Sequence, residues 1–228
     1  MKKVLFGGIF LSLMALSCSK DGDDEGTPDP NTATYLNSAN ASSWTYKTVD
    51  NTGVAPETEY TLLSTNRDST INGKTYHVYV NSGTGESEYN AKVGNDYYIF
   101  TALPDELGGE NEENLYLKAA GGVNSSWLQT YDLSGMGFPI SAKIVHTIIE
   151  KGITRTVNSV VHNNVIHVKT DVVLIGVPPG TITFSTDIHE YYAPNYGMIE
   201  TRTKINVDFM GMQEATDETV TLKTATLN

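Results

Sequence analysis

Cysteine occurs once in the 228 residues, at Cys18, so no intrachain disulfide, thiolate metal set or second redox thiol is available to the chain. Positive charge is also scarce. Fifteen Lys and Arg face 27 Asp and Glu, for a formal charge of −12, and such a surface repels a phosphate backbone, which excludes nucleic-acid binding. The longest uncharged apolar stretch is the thirteen residues Val4–Leu16, short of the roughly 20 that a membrane-spanning helix needs. No segment keeps a 3.6-residue apolar period, so little helix is expected. There is no G-x-S-x-G elbow, P-loop or dinucleotide fingerprint, and no serine stands out from the others as a nucleophile.

The amino-terminal residues carry an address. Lys2 and Lys3 precede the apolar stretch, and the small Ser17 follows it, which is the charge, length and exit of a secretory signal peptide over 1–17. "ALSC" at 15–18 resembles the lipobox of bacterial lipoproteins, with Ala15 where that family more often has Leu. The resemblance implies acylation of Cys18 and anchoring in a membrane, since several acyl chains give lasting attachment. The acids of "SKDGDDEG", namely Asp21, Asp23, Asp24 and Glu25, resemble the export signal of Bacteroidota surface lipoproteins. That implies an outer-membrane protein displayed at the cell surface. A calcium loop is the competing reading of "DGDDEG", but its twelfth position is Thr32 rather than a bidentate Glu. Loss of Lys2 and Lys3 with the signal peptide would take the charge from −12 to −14. Residues 18–34, acidic and holding Pro28 and Pro30, are expected to be a flexible tether.

Residues 35–228 are expected to form one all-β domain. Ile182, Phe184, Thr186 and Ile188 alternate with Thr183, Ser185, Asp187 and His189, and 164–175 and 197–209 alternate likewise. Turns are expected at "INGK" (71–74), "VGND" (93–96), "EKGI" (150–153) and "VHNNV" (161–165). A long meander of this kind makes a single antiparallel, strongly curved sheet, closing as an open barrel, a half-barrel or a sandwich. The series "WTY", "INGKTYHVY" and "YYAPNYGMIETRT" is similar to small lipoproteins of Bacteroidota and to LolA/LolB-like half-barrels. The resemblance implies a carrier fold with an apolar cavity and names no ligand.

Candidate sites are few. Among His77, His146, His162, His167 and His189, only His162 and His167 could face each other across a hairpin, and solvent-facing histidines are the favoured reading, so no metal or other cofactor is assigned. Asp105, Glu106, Glu110, Glu112 and Glu113 read as a solvated loop, with calcium as the alternative. Three loops carry apolar side chains beside glycines: Leu174, Ile175 and Val177; Met136 and Phe138; Met210 and Met212. They either form a ligand mouth or fold back as plugs. Tyr76, Tyr79, Tyr97, Tyr98, Tyr131, Tyr191, Tyr192 and Tyr196 could make a sugar-stacking platform, though strand preference alone accounts for them. "DST" at 68–70 resembles the Bacteroidota O-glycosylation sequon, which implies modification of Ser69.

The residues thus favour a lipid-anchored envelope protein that binds or carries something, an apolar small molecule ahead of a glycan, without catalysis. The alternatives are a glycoside-type hydrolase whose carboxylates meet only in the fold, and a surface adhesin or assembly subunit built on an exposed strand edge. If the acids after Cys18 are a sorting signal, replacing Asp21, Asp23, Asp24 and Glu25 by alanine leaves acylation intact but moves the protein to the inner leaflet. Proteinase treatment of whole cells then spares the variant and digests the parent; equal digestion makes the acids a spacer.

Overall fold

The computed structural model describes residues 33–102, 111–132, 140–178, 180–209 and 211–228. Every regular element in them is a strand. In chain order these are β1 (Ser43–Asp50), β2 (Thr58–Ile71), β3 (Lys74–Asn81), β4 (Ser87–Val93), β5 (Asp96–Ala102), β6 (Asn111–Lys118), β7 (Ser126–Asp132), β8 (Ser141–Val157), β9 (Val160–Ile175), β10 (Ile182–Ala193), β11 (Gly197–Phe209) and β12 (Met212–Thr226). They form one antiparallel sheet in the order β6-β5-β4-β3-β2-β1-β12-β11-β10-β9-β8-β7. Two meanders therefore leave a central β1–β12 pair in opposite directions, and the sheet curls until its edges β6 and β7 meet, nearly closing a barrel.

Backbone conformation explains which expected turns exist. "INGK" is one, because Asn72 and Gly73 both take positive φ (51° and 80°), as a two-residue hairpin with the sheet's twist requires. "VGND" is another, with Val93 paired to Asp96. The expected turns at "EKGI" and "VHNNV" are not turns. β8 runs through the first, and its register with β9 shifts three times between Ile148 and Arg155. Gly152 and Asn164, at φ 75° and 56°, sit in these irregular stretches, since a left-handed residue serves a bulge as well as a turn. The true reversal is at Asn158 and Ser159, φ 47° and 69°.

The seam between the edges is made by side chains. Trp127, Gln129 and Tyr131 share one face of β7 and meet the backbone of β6. The Trp127 indole donates to the Leu115 carbonyl (2.6 Å). The Gln129 amide donates to the Glu113 carbonyl (2.8 Å) and accepts from the Leu115 N–H (2.7 Å). One side chain thus supplies what a thirteenth strand would have supplied.

The interior is filled. Trp44, Tyr46, Tyr79, Tyr97, Tyr116 and Tyr192 are buried in one core with Leu62, Leu117, Ile148, Ile166, Val168 and Ile199. The strap preceding β1, residues 33–42, enters the end of the barrel that holds the Asn72–Gly73 turn. There Tyr35 is fully buried, its N–H on the Tyr97 hydroxyl (3.0 Å), and the Tyr79 hydroxyl donates to the Asn37 carbonyl. The Asn195 N–H holds the Thr34 carbonyl at 3.0 Å, so order begins before the first strand.

One polar chain crosses this core. Thr170 donates its hydroxyl to Glu190 (2.9 Å) and accepts from His146 Nδ1 (2.8 Å), which fixes the neutral Nδ1–H tautomer of His146. Burial pushes the Glu190 carboxyl up to about 7. The folded state holds a proton that the unfolded state releases near pH 4.5. Its stabilising effect is complete below that pH and fades as pH rises through 7, by about 3 kcal/mol. Glu190→Gln should remove this fall and expose the opposing rise from His146, which burial holds down to about 4, so that only the unfolded state takes up its proton below 6.5. Urea midpoints of the variant should climb between pH 5 and 7 more steeply than those of the parent.

Candidate functional site

At the rim holding the strap, β2, β3 and β4 form an open groove of about 420 Å³. A bulge in β2 shapes it. The register with β3 breaks between Ser64 and Asp68, and Thr65 pins the intervening residues by donating to the Val78 carbonyl (2.6 Å) and accepting from the Arg67 N–H (3.1 Å). The bulge sets Asp68 opposite His77, and His77 stands opposite Asn90 on β4. Asp68, His77 and Asn90 line the groove with Thr65, Asn66 and Lys92, and the strap adds Leu36, Ser38 and Asn40.

Ser64, His77 and Asp68 fall into the hydrogen-bond order of a nucleophilic triad. His77 Nδ1 lies 2.8 Å from the Asp68 carboxylate, so it carries the proton, and its Nε2 accepts from the Ser64 hydroxyl at 2.9 Å. The serine does not line the groove, however. Its N–H donates to the Ser42 carbonyl (2.8 Å) and its carbonyl accepts from the Ala41 N–H (3.0 Å), so the strap crosses beside it. An acyl carbon would have to stand about 3 Å from Oγ, beside a hydroxyl that opens on no groove. The trio locks the bulge and the strap together.

Two groups in the groove are unengaged. Asn90 is fully buried (0% exposed), yet neither its Oδ1 nor its Nδ2 has a partner among the described residues. Two residues along the same face of β4, Lys92 is exposed and has no ion-pair partner among the described residues, its ammonium lying over the Tyr97 ring at 5.6 Å. Lys74 is committed to Glu113, Arg155 and Arg202 to Glu200, and Lys204 to Asp217, whereas Arg67 and Lys143, like Lys92, have no ion pair among the described residues.

A second groove, about 580 Å³, lies on the outer face of β9–β12 over His167, Asp187, His189, Tyr191, Arg202 and Lys204. Here the groups satisfy one another. Glu150, His167, His189 and Asp187 form a row with links of 2.6, 2.8 and 3.0 Å. The Tyr191 ring is covered by His167 on one side (4.0 Å) and the Arg155 guanidinium on the other (3.4 Å). Burial would raise the Glu200 carboxyl, but the Arg155 and Arg202 hydrogen bonds outweigh it and hold the group below the usual range. This network braces the β8–β9 hairpin against the sheet.

The residues singled out in the sequence distribute unevenly. Cys18, Asp21, Asp23, Asp24, Glu25, Asp105, Glu106, Glu110, Met136, Phe138 and Met210 lie outside the described residues. Leu174 and Val177 are half-buried against Tyr131, Ile140, Ala142 and Ile144 at the far rim, whereas Ile175 and Met212 face solvent. His162 and His167 do not face each other. They share β9, where His162 pairs with Arg155 and packs on Tyr196, and His167 meets His189 instead. Glu112 and Glu113 belong to β6, and Glu113 binds Lys74 and Tyr76, so these two acids are not part of a loop. The tyrosines make no exposed platform: Tyr79, Tyr97 and Tyr192 belong to the central core, Tyr131 to the far-rim cluster, Tyr76 is buried against Phe100 and Glu113, and Tyr191 is covered on the outer face by His167 and Arg155. Ser69 is half-buried within β2, opposite Tyr76. No group of three or more His, Cys, Asp or Glu among the described residues is placed to hold a metal.

If the Ser64 hydroxyl is structural, Ser64→Ala costs about 1 kcal/mol in chemical denaturation. A fluorophosphonate probe then adds no mass to the parent protein. An adduct on Ser64, absent from the variant, would make the trio an active site.

No family model and no curated protein matches the sequence. Among solved structures, the chain is similar to a protein of Parabacteroides distasonis provisionally assigned as a lipoprotein, at 11% identity and a TM-score of 0.49. It is also similar to a protein of Bacteroides fragilis with a YmcC-like fold, provisionally assigned as exported, at 9% identity and a TM-score of 0.45. Each likeness covers 85% of this chain and 99% of the other. At these scores neither likeness carries a ligand or an activity to this chain.

Proposed function

We propose that this chain is a lipid-anchored, non-enzymatic binding protein of the cell envelope, and that it takes its ligand in the rim groove rather than inside the barrel. The observation that carries this reading is the filled interior, where Trp44, five core tyrosines and the strap residue Tyr35 occupy the space in which a half-barrel carrier keeps its cargo. Both grooves are open and lined chiefly by polar side chains. Of the two, only the rim groove holds a fully buried amide without a partner among the described residues. The sealed β6–β7 seam counts against assembly by strand addition at those edges, because side chains already occupy Glu113 and Leu115 of β6. The anchor is Cys18, and the fourteen residues 19–32 between it and the strap reach roughly 50 Å when extended.

Cys18→Ser should strand the protein as an unprocessed precursor or release it from the outer-membrane fraction. The domain 33–228 should show no saturable uptake of a fluorescent fatty acid. Saturable uptake would return the function to carriage of an apolar ligand, and membrane retention of the serine variant would remove the anchor.

A further inference from the structure

We infer that the rim groove takes a small ligand bearing a secondary amide beside a carboxylate, with Asn90 reading the amide and Lys92 the acid. The inference rests on the groove being the binding site proposed above and names its ligand class. A carboxamide presents a donor and an acceptor in one plane, and its natural complement is another amide, which presents the reverse pair. Buried amides are ordinarily satisfied within the protein. Asn90 is fully buried at the floor of the groove with both ends unpartnered among the described residues.

The second half of the ligand follows from strand geometry. Lys92 is two residues beyond Asn90, so both project from one face with their Cα atoms about 7 Å apart. Lys92 has no ion-pair partner among the described residues. Asp68 lines the opposite wall on β2, with β3 between, and its charge is engaged by His77. The ammonium of Lys92 favours an anion on the β4 side, which orients the ligand with its amide over Asn90 and its acid toward Lys92. Two ordinary sources carry this chemistry, an N-acetylated sugar acid and an acylated peptide terminus.

The test is calorimetry on the full-length protein in detergent, with N-acetylmuramic acid and N-acetyl-diglycine as probes. N-acetylglucosamine, which lacks the acid, and glucuronic acid, which lacks the amide, are the controls. At least one probe should bind more tightly than both controls, and the probe that binds identifies the source. Asn90→Leu and Lys92→Met should each weaken it at least tenfold. Asn90→Leu should also hold or raise the melting temperature, because a similar-sized apolar side chain replaces an unpaired amide. Failure of both probes to bind, unchanged affinity in both variants, or a lower melting temperature for Asn90→Leu overturns the inference. Any of these leaves the anchor and fatty-acid results standing, so loss of the ligand class is distinguishable from loss of the broader function.

Discussion

A curled sheet of twelve strands has two edges, and each edge offers a row of backbone groups to any passing strand unless something covers it. In this protein Gln129 covers them. Its amide takes the Leu115 N–H and the Glu113 carbonyl together, while Trp127 takes the Leu115 carbonyl, so β6 and β7 close without pairing as strands. Much else depends on that seam. Trp127 also lies against His146 at 5.3 Å, the first member of the buried chain through Thr170 to Glu190. The closed wall is what encloses the aromatic core and gives the strap an interior to enter.

The strap turns a container into a solid. Tyr35 bonds Tyr97 on one side and reaches the Asn164 carbonyl on the other, and Asn37 receives the Tyr79 hydroxyl. Segments far apart in sequence are thus joined through residues that precede the first strand. The same strap lies beside Ser64 and provides one wall of the rim groove. A single segment therefore contributes Tyr35 to the aromatic core and also shapes the surface site.

The sheet was legible from alternation, because Ile182 to Ile188 and Ile199 to Phe209 show the period of two that a one-sided strand imposes. Turns were legible only where chemistry is singular. Asn72-Gly73 permits one reading, whereas Gly152 and Asn164 satisfy a bulge as readily as a hairpin, and both fall within the longest strand pair, whose register is irregular. The site was not legible. Ser64, Asp68, His77 and Asn90 lie on three strands, and a looped-out bulge resets the register that brings the first two to the third. Only the spacing of Asn90 and Lys92 is local, and a polar pair at i and i+2 is also what any solvent-facing strand displays. Whether the far-rim loops form a mouth is likewise beyond alternation, since Leu174 turns inward and Ile175 outward within one step.

Charge distinguishes the two grooves more sharply than size. On the outer face Glu200 meets Arg155 and Arg202, and Glu150 and Asp187 each hydrogen-bond an imidazole, so an incoming ligand would have to break these contacts before making its own. Such exchange is close to neutral at an exposed surface. In the rim groove the Asp68–His77 pair is already satisfied, and the groups left over include a buried amide and an exposed ammonium. A ligand that engages them displaces no internal contact. The larger groove is thus the poorer site, and the acidic chain keeps an uncommitted lysine beside the buried amide that lacks one.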